Sequence, residues 1–424
     1  MVRTSKPRES ALAFDNLGEL TMSHLYLLGV ATLTLTSAGF AGSDTNADLQ
    51  ARLDAAEARI SELSAATNAN WLNDARADEI RGLVHDVLAD ADTRASLQGS
   101  GATAGYNGGF TVGSADGNWS MTINGLLQTR WTNVDNDANP DETWGFTNDR
   151  SWLNFSGTIA GDYGYDVRHD LNTATNNLGD WANGSMNVGD GWDLTMGTFK
   201  MATSREALID DAHQMALDRR ANGFAGGQAV YVVGQGVELD YSSDDLGVTL
   251  QVVNNAGGTP ANNNSSYSYT ARVEYLASGS WGQFDQFHSA EGGAAGTLVG
   301  FSYSGNDNGN AAAGGNSDQS TWNIDVQMQW GGSGLYVSYT DGSDGNNAAL
   351  DYNQTQIMYA MDMGDNWEVY GRWSDNDADA GSMTSIGVNN YLAGQNAKWT
   401  TEISMDDRGA SDITTIATQL QFYF

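Results

Sequence analysis

Cysteine is absent and proline nearly so, with three in 424 residues. Without thiols there is no disulfide framework, no thiolate metal site and no cysteine nucleophile. Basic residues are also scarce: 19 Lys and Arg stand against 53 Asp and Glu, a formal net charge of -34. A nucleic-acid binder needs a basic face, so that partner is excluded. What the chain has instead is 51 Gly, 13 Trp, 17 Tyr and 12 Phe. A disordered acidic chain would lack those aromatics. A polar average with many aromatics and few prolines suits a β-barrel with a wet interior and a greasy exterior.

The first hundred residues are of another kind. Leu25 to Leu35 form a short apolar run, too short to cross a bilayer as a helix, and small residues follow up to Ala41. This predicts a secretory leader over 1–41; a buried core strand is the alternative. If translation starts at Met22 the leader's only basic group is His24; from Met1 it gains Arg3, Lys6 and Arg8. Next, Leu49, Leu53, Ala56, Ile60 and Leu63 recur at spacings of 4, 3, 4 and 3, a heptad seam with charges between. A second helical stretch from Asp74 to Leu97 places Ile80, Leu83, Val84, Val87 and Leu88 on one face. Residues 42–100 therefore read as a helical coiled-coil stalk, or else as amphipathic helices packed on their own chain. Residues 101–118 read as a flexible linker.

From Trp119 onward the period is two. In TWNIDVQMQW, Trp322, Ile324, Val326, Met328 and Trp330 alternate with Asn323, Asp325, Gln327 and Gln329. The pattern is that of a bilayer-facing strand with aromatic ends and a polar inner face. It recurs over 119–131, 366–375 and 397–406, and the chain ends on an aromatic, Phe424, as bacterial outer-membrane barrels do. Seventeen candidate strands appear, but a bacterial single-chain barrel takes an even number with both ends in the periplasm. Short links mark the periplasmic rim and long Asp, Asn and Gly-rich links the outside. On that parity WGQFDQFH (281–288) is a periplasmic excursion, leaving about 16 antiparallel strands in a transmembrane barrel over 119–424.

LTMGTFKMATSREALIDDAHQMALDRR (194–220) resembles the strand and inward loop of the phosphate-selective porin (porin O/P) family: a strand ending in Gly197, Phe199 and Lys200, then a loop closing on Arg219 and Arg220. The last two strands are also similar, and the helical stalk resembles that of planctomycete-type outer-membrane porins. The resemblance implies a sixteen-stranded barrel in the outer membrane, usually a homotrimer, with the third extracellular loop folded inward. It places Lys200, Arg205, Glu206, Asp210, Asp211, Asp218, Arg219 and Arg220, in and before loop 201–223, at the pore constriction. The alternation puts Arg130, Arg168, Arg372, Lys398, Glu368 and Glu402 on the pore lining.

A phosphate path needs a ladder of Arg and Lys. Residues 101–424 hold only 11 of these against 39 acids, and the loop carries three Arg against four carboxylates. From this average the expectation is a passive channel for small hydrophilic solutes that prefers cations. The alternatives are a phosphate or anion porin, with the acid residing on outer loops, or an anchor to peptidoglycan through the stalk. The five His form no zinc pair, the GDGWD and DGSDG runs are explained by turn chemistry rather than calcium, and no nucleophile motif surrounds Ser204. No enzyme, cofactor or metal is expected.

Overall fold

The computed structural model describes residues 46–71, 102–171, 181–220, 233–254, 267–307, 319–344, 351–377, 381–407 and 411–424. The leader and the second stalk helix expected above lie outside these residues. The described residues fall into two separate units, 46–71 and 102–424.

In the first unit, α1 (Asn46–Trp71) is a single helix of 26 residues, about 39 Å long at 1.5 Å per residue. Leu53 and Ile60, one heptad apart on the seam, are exposed on it. No described helix is long and apolar enough to cross a membrane; the strands do that.

The second unit begins with a hairpin, β1 (Ala102–Tyr106) and β2 (Phe110–Ser114). The expected linker over 101–118 is thus largely ordered: β2 pairs with the start of β3, and Phe110 meets Phe424 at 6.3 Å between ring centroids. The short polar sequence hides this, because its pairing partner lies elsewhere in the chain. Sixteen strands follow: β3 (Ser120–Asn136), β4 (Asn139–Ile159), β5 (Tyr163–Asp170), β6 (Trp181–Gly189), β7 (Trp192–Lys200), β8 (Val233–Ser242), β9 (Leu246–Asn254) and β10 (Tyr267–Ser278). After them come β11 (Gly296–Asp307), β12 (Gln319–Trp330), β13 (Ser333–Asp344), β14 (Tyr352–Gly364), β15 (Trp367–Asn376), β16 (Gly381–Gln395), β17 (Ala397–Asp406) and β18 (Ile413–Tyr423). Each pairs antiparallel with the next, and β18 pairs with β3, so the sheet closes and leaves no edge. Six of the seven links on one rim are one to three residues long, at 160–162, 190–191, 243–245, 331–332, 365–366 and 396; the seventh, between β10 and β11, spans 279–295. Asp365 and Asn366 take positive φ of 51° and 65° there, as a two-residue hairpin turn demands.

Alternation sets the two faces. On β12, Asn323, Asp325, Gln327 and Gln329 are buried while Ile324 and Trp330 are exposed. On β15, Glu368, Tyr370 and Arg372 are buried, and Trp367, Val369 and Trp373 face out. β17 repeats this with Lys398, Thr400, Glu402 and Ser404 inside. The exposed face is the apolar one, as a bilayer requires.

Candidate pore constriction

Loop 201–220 leaves β7 and folds into the barrel. The strand before it needs glycine at Gly197: φ is +130°, and a Cβ there would lie 2.3 Å from the carbonyl oxygen of Ala182 on β6. The loop's run ALIDDAHQMALDRR breaks the period of two and reads in sequence as a short helix, but it is not one helix. The loop has one helical turn, α2 (Arg205–Leu208), capped by the Ser204 hydroxyl, and one 3₁₀ turn over Asp211–His213, capped by Asp210. The rest is irregular, so its backbone groups need partners from elsewhere. Inward side chains of the barrel supply them. Lys398 donates to the carbonyls of Gln214 (2.7 Å) and Ala212 (3.2 Å), Asn389 to Met215 (2.9 Å), and Gln421 to Ala212 (3.0 Å). Arg372 donates to the carbonyl of Asp218, and Gln251 accepts from the N–H of Ala202 at 2.9 Å.

Two kinds of wall hold this loop. Towards β13–β15 it is apolar: Ile209, Met215 and Ala216 pack on the inward-facing Tyr336, Met358, Ala360 and Tyr370. The sequence offers Ala207, Leu208, Met215 and Leu217 as apolar anchors; Ala207, Met215 and Leu217 are buried, but Leu208 is only half-buried and Ile209 takes its place. Towards β3–β5 and β7 the wall is charged. Arg130 grips Asp218 with two nitrogens, at 2.7 and 3.1 Å, and Arg150 reaches the same carboxylate at 3.1 Å. Asp149 bridges both arginines, at 2.9 and 3.0 Å. Arg168 bonds Asp210 at 2.7 Å, and its guanidinium lies between two indoles, 3.6 Å from the Trp152 ring centre and 3.7 Å from that of Trp181. Lys200 Nζ is 3.9 Å from Asp210, and Arg219 pairs with Asp211.

Charge in the loop follows this geometry. Burial would raise the Asp211 carboxyl, but Arg219 and Arg150 outweigh it and bring it down to about 2. Burial opposes Arg168 and Lys200 at Asp210, and Arg130 and Arg150 at Asp218; in both the cations win and hold the carboxyl well below its ordinary range. Glu206 goes the other way, pushed up by burial despite Arg372 and a hydrogen bond from Gln356. Burial lowers the His213 imidazole. Asp218 keeps 53% of its side chain exposed, so the cluster it joins is open to solution.

The eight residues expected at the constriction are not brought into one ring. Lys200, Asp210, Asp211, Asp218 and Arg219 join the charged wall. Glu206 and Arg220 lie nearer β14–β16: Gln356 donates to Glu206 at 3.1 Å, and Arg220 donates to Ser385 at 2.6 Å. Arg205 is turned away, towards Glu274 (3.4 Å) and Asp285 (3.2 Å). Of the expected lining, Arg130 and Arg168 sit on the charged wall. Arg372 lies 3.5 Å from Glu402, Lys398 carries the loop backbone, and Glu368 contacts His288. The sequence reading missed Arg150, Asp149, Trp152 and Trp181. Alternation from Asn154 through Trp152 to Arg150 puts all three on one face, a signal that was there to follow.

The expectation of cation preference rested on an average. Eleven Lys and Arg occur in 101–424. Ten of them, all but Arg408, are Arg130, Arg150, Arg168, Lys200, Arg205, Arg219, Arg220, Arg272, Arg372 and Lys398, and every one lies inside the barrel with its side chain at the wall or the loop. At least as many carboxylates lie there too: Asp149, Glu206, Asp210, Asp211, Asp218, Glu238, Glu274, Asp325, Glu368 and Glu402. The interior is thus near charge balance, unlike the chain as a whole, and the cation preference is not supported.

A closed barrel with a polar interior, an apolar exterior and an inward loop is an outer-membrane channel of porin type. Residues 121–338 match the family described as phosphate-selective porin O and P, and the chain belongs to that family. Among solved structures it is similar to OmpT, an outer-membrane protein of Vibrio cholerae with its loop L8 deleted, at 15% identity and a TM-score of 0.47, covering 72% of this chain and 100% of that one. It is also similar to a mutant Rh. blastica porin (12% identity, TM-score 0.45, 72% and 100% covered) and to Acinetobacter baumannii OccAB4 (11%, 0.39, 72% and 98%). No curated protein matches the chain.

Proposed function

We propose that the chain is a passive channel for small hydrophilic anions of the phosphate class, narrowed by loop 201–223. The observation that carries this reading is the convergence of ten of the eleven basic side chains of 101–424 on the interior. Arg130, Arg150, Arg168 and Lys200 sit on one wall, where cationic donors replace the water that an anion sheds. The carboxylates of Asp210, Asp211 and Asp218 hold these cations in place and weaken their grip, so that an anion can leave as well as bind. Lys200, Glu206, Asp210, Asp211, Asp218, Arg219 and Arg220 set the constriction; Arg130, Arg168, Arg372, Lys398, Glu368 and Glu402 line the pore. The test is the reversal potential of single channels in a potassium chloride gradient. We expect an anion-selective sign and a chloride current reduced by added phosphate. A cation-selective sign would overturn the reading and restore the carboxylate one.

The same proposal makes residues 1–41 a secretory leader and 42–100 a periplasmic stalk, with three chains per channel. Leu53 and Ile60, exposed on α1, support association of stalks through the heptad seam. Replacing both by Asp should abolish stalk helicity while the barrel still inserts. Retention on purified peptidoglycan that depends on residues 42–100 would add an anchoring role.

A further inference from the structure

The link between β10 and β11, residues 279–295, is seventeen residues long on a rim where the other links need one to three. It belongs to the periplasmic rim, yet it does not hang below the barrel. Phe284 is 0% and Phe287 2% exposed. The Gln286 carbonyl accepts from Gln327 at 2.7 Å and Gln329 at 2.8 Å, both inward-facing on β12. Phe287 lies edge-on to Tyr336, with ring centroids 5.1 Å apart, and His288 Nδ1 is 2.7 Å from Glu368. A Cβ at Gly334 would lie 3.0 Å from the Phe287 carbonyl, so glycine there makes room for the segment.

The segment also meets the extracellular loop. The N–H of Phe287 points at the His213 carbonyl, 3.4 Å away. The Arg205 guanidinium donates to the Phe284 carbonyl, through Nε at 3.0 Å, and pairs with Asp285 at 3.2 Å. The Arg205 backbone N–H is held in turn by Asp325 of β12 at 3.0 Å. One side chain thus joins an element that enters from outside to one that enters from the periplasm, and both bury apolar residues in the same cluster.

We infer that 279–295 is a second constriction element, entering from the periplasmic side, and that Arg205 is the positioning residue that fixes it to loop 201–220. The inference rests on the reading that this loop narrows the pore. Arg205 is then not a selectivity residue, because its donors are used up in the junction. A long link, buried aromatics and a designed gap at Gly334 have no role in joining two strands, which a two-residue turn achieves elsewhere on the rim.

Three full-length variants test this in planar bilayers. Replacing residues 281–292 by a short Gly-Ser turn should raise single-channel conductance at least twofold and leave the sign of the reversal potential unchanged. Arg205→Ala should leave selectivity in place and add open-channel current fluctuations as the two elements move apart. If the replacement variant does not fold, Phe287→Ser, which keeps the link, should raise conductance in the same direction. Unchanged conductance in a variant that retains the heat-modifiable gel mobility of a folded barrel would overturn the inference. Deleting 203–218 separates the two readings: if that raises conductance and the periplasmic variants do not, the loop narrows the pore and only this inference fails. If it also does nothing, the loop reading fails.

Discussion

The two walls that meet loop 201–220 hold it by different physics. The wall of β13–β15 offers Tyr336, Met358, Ala360 and Tyr370, and the loop answers with Ile209, Met215 and Ala216. The wall of β3–β7 offers Arg130, Arg150, Arg168 and Lys200, and the loop answers with Asp210, Asp211 and Asp218. Apolar burial is non-directional and grows with area, so it holds a segment firmly without fixing any one group. Ion pairs beside a wet lumen contribute less to stability, because solvent screens them and desolvation opposes them. They do fix direction and field. On the function proposed above, the difference would give adhesion to one side of the loop and selectivity to the other.

That division can be broken at several strengths. The largest effect should come from removing the loop: deletion of 203–218 should raise conductance severalfold, and an unchanged conductance in a folded barrel would place the constriction elsewhere. Next, Met215→Asp puts a carboxylate into the apolar cluster and should cost roughly 3 kcal/mol or more of loop attachment. The loop should then become cleavable by protease added from outside, while the barrel remains folded; continued resistance would mean that the charged wall holds the loop alone. On the charged side, Asp218→Asn removes the carboxylate shared by Arg130 and Arg150. It should leave protease resistance alone and move the reversal potential further towards anion selectivity. A loosened loop with unchanged selectivity would reverse the assignment of the two walls.

The smallest effect is that of pH. The Asp210, Asp211 and Asp218 carboxyls are held below their ordinary range, Asp211 down to about 2. A depressed carboxyl adds stability that is present above its unfolded value of 3.8 and is lost as pH falls through the folded one. These pairs should therefore stay intact from pH 7 to below 4. Glu206 has the opposite sign: burial raises it above 4.5, so acidification neutralises it first and stabilises the loop rather than releasing it. Between pH 7 and 5 the reversal potential should drift slightly towards anions, and Glu206→Gln should remove the drift. A large loss of selectivity above pH 5 would mean that the aspartates are not held as the geometry implies.

Much of the barrel could be read from alternation. The strand over 397–406 has the expected bounds, and demoting 281–288 gives the sixteen strands that close between β3 and β18. Period two is a local property, because each residue's face depends only on its neighbours' parity. The inner face was read too simply as polar. Leu126, Trp152, Tyr336, Met358 and Tyr370 point inward and are buried, since something inside must grip the loop and the periplasmic segment. Strand parity puts them on the inner face; that the inner face is apolar at these points is explained only by what packs against it.

Sequence alone determined the closed barrel, its greasy exterior and the existence of a loop that departs from period two. It also pointed to most of the residues that make up the charged wall, with the exception of those on β4 and β6. Only the tertiary structure decided which charges meet. An overall count treats every carboxylate alike, yet the barrel gathers nearly all of its basic side chains on the inside. The reason is that partners such as Arg130 and Asp218 lie 88 residues apart, and electrostatic energy depends on distance in space, not on composition.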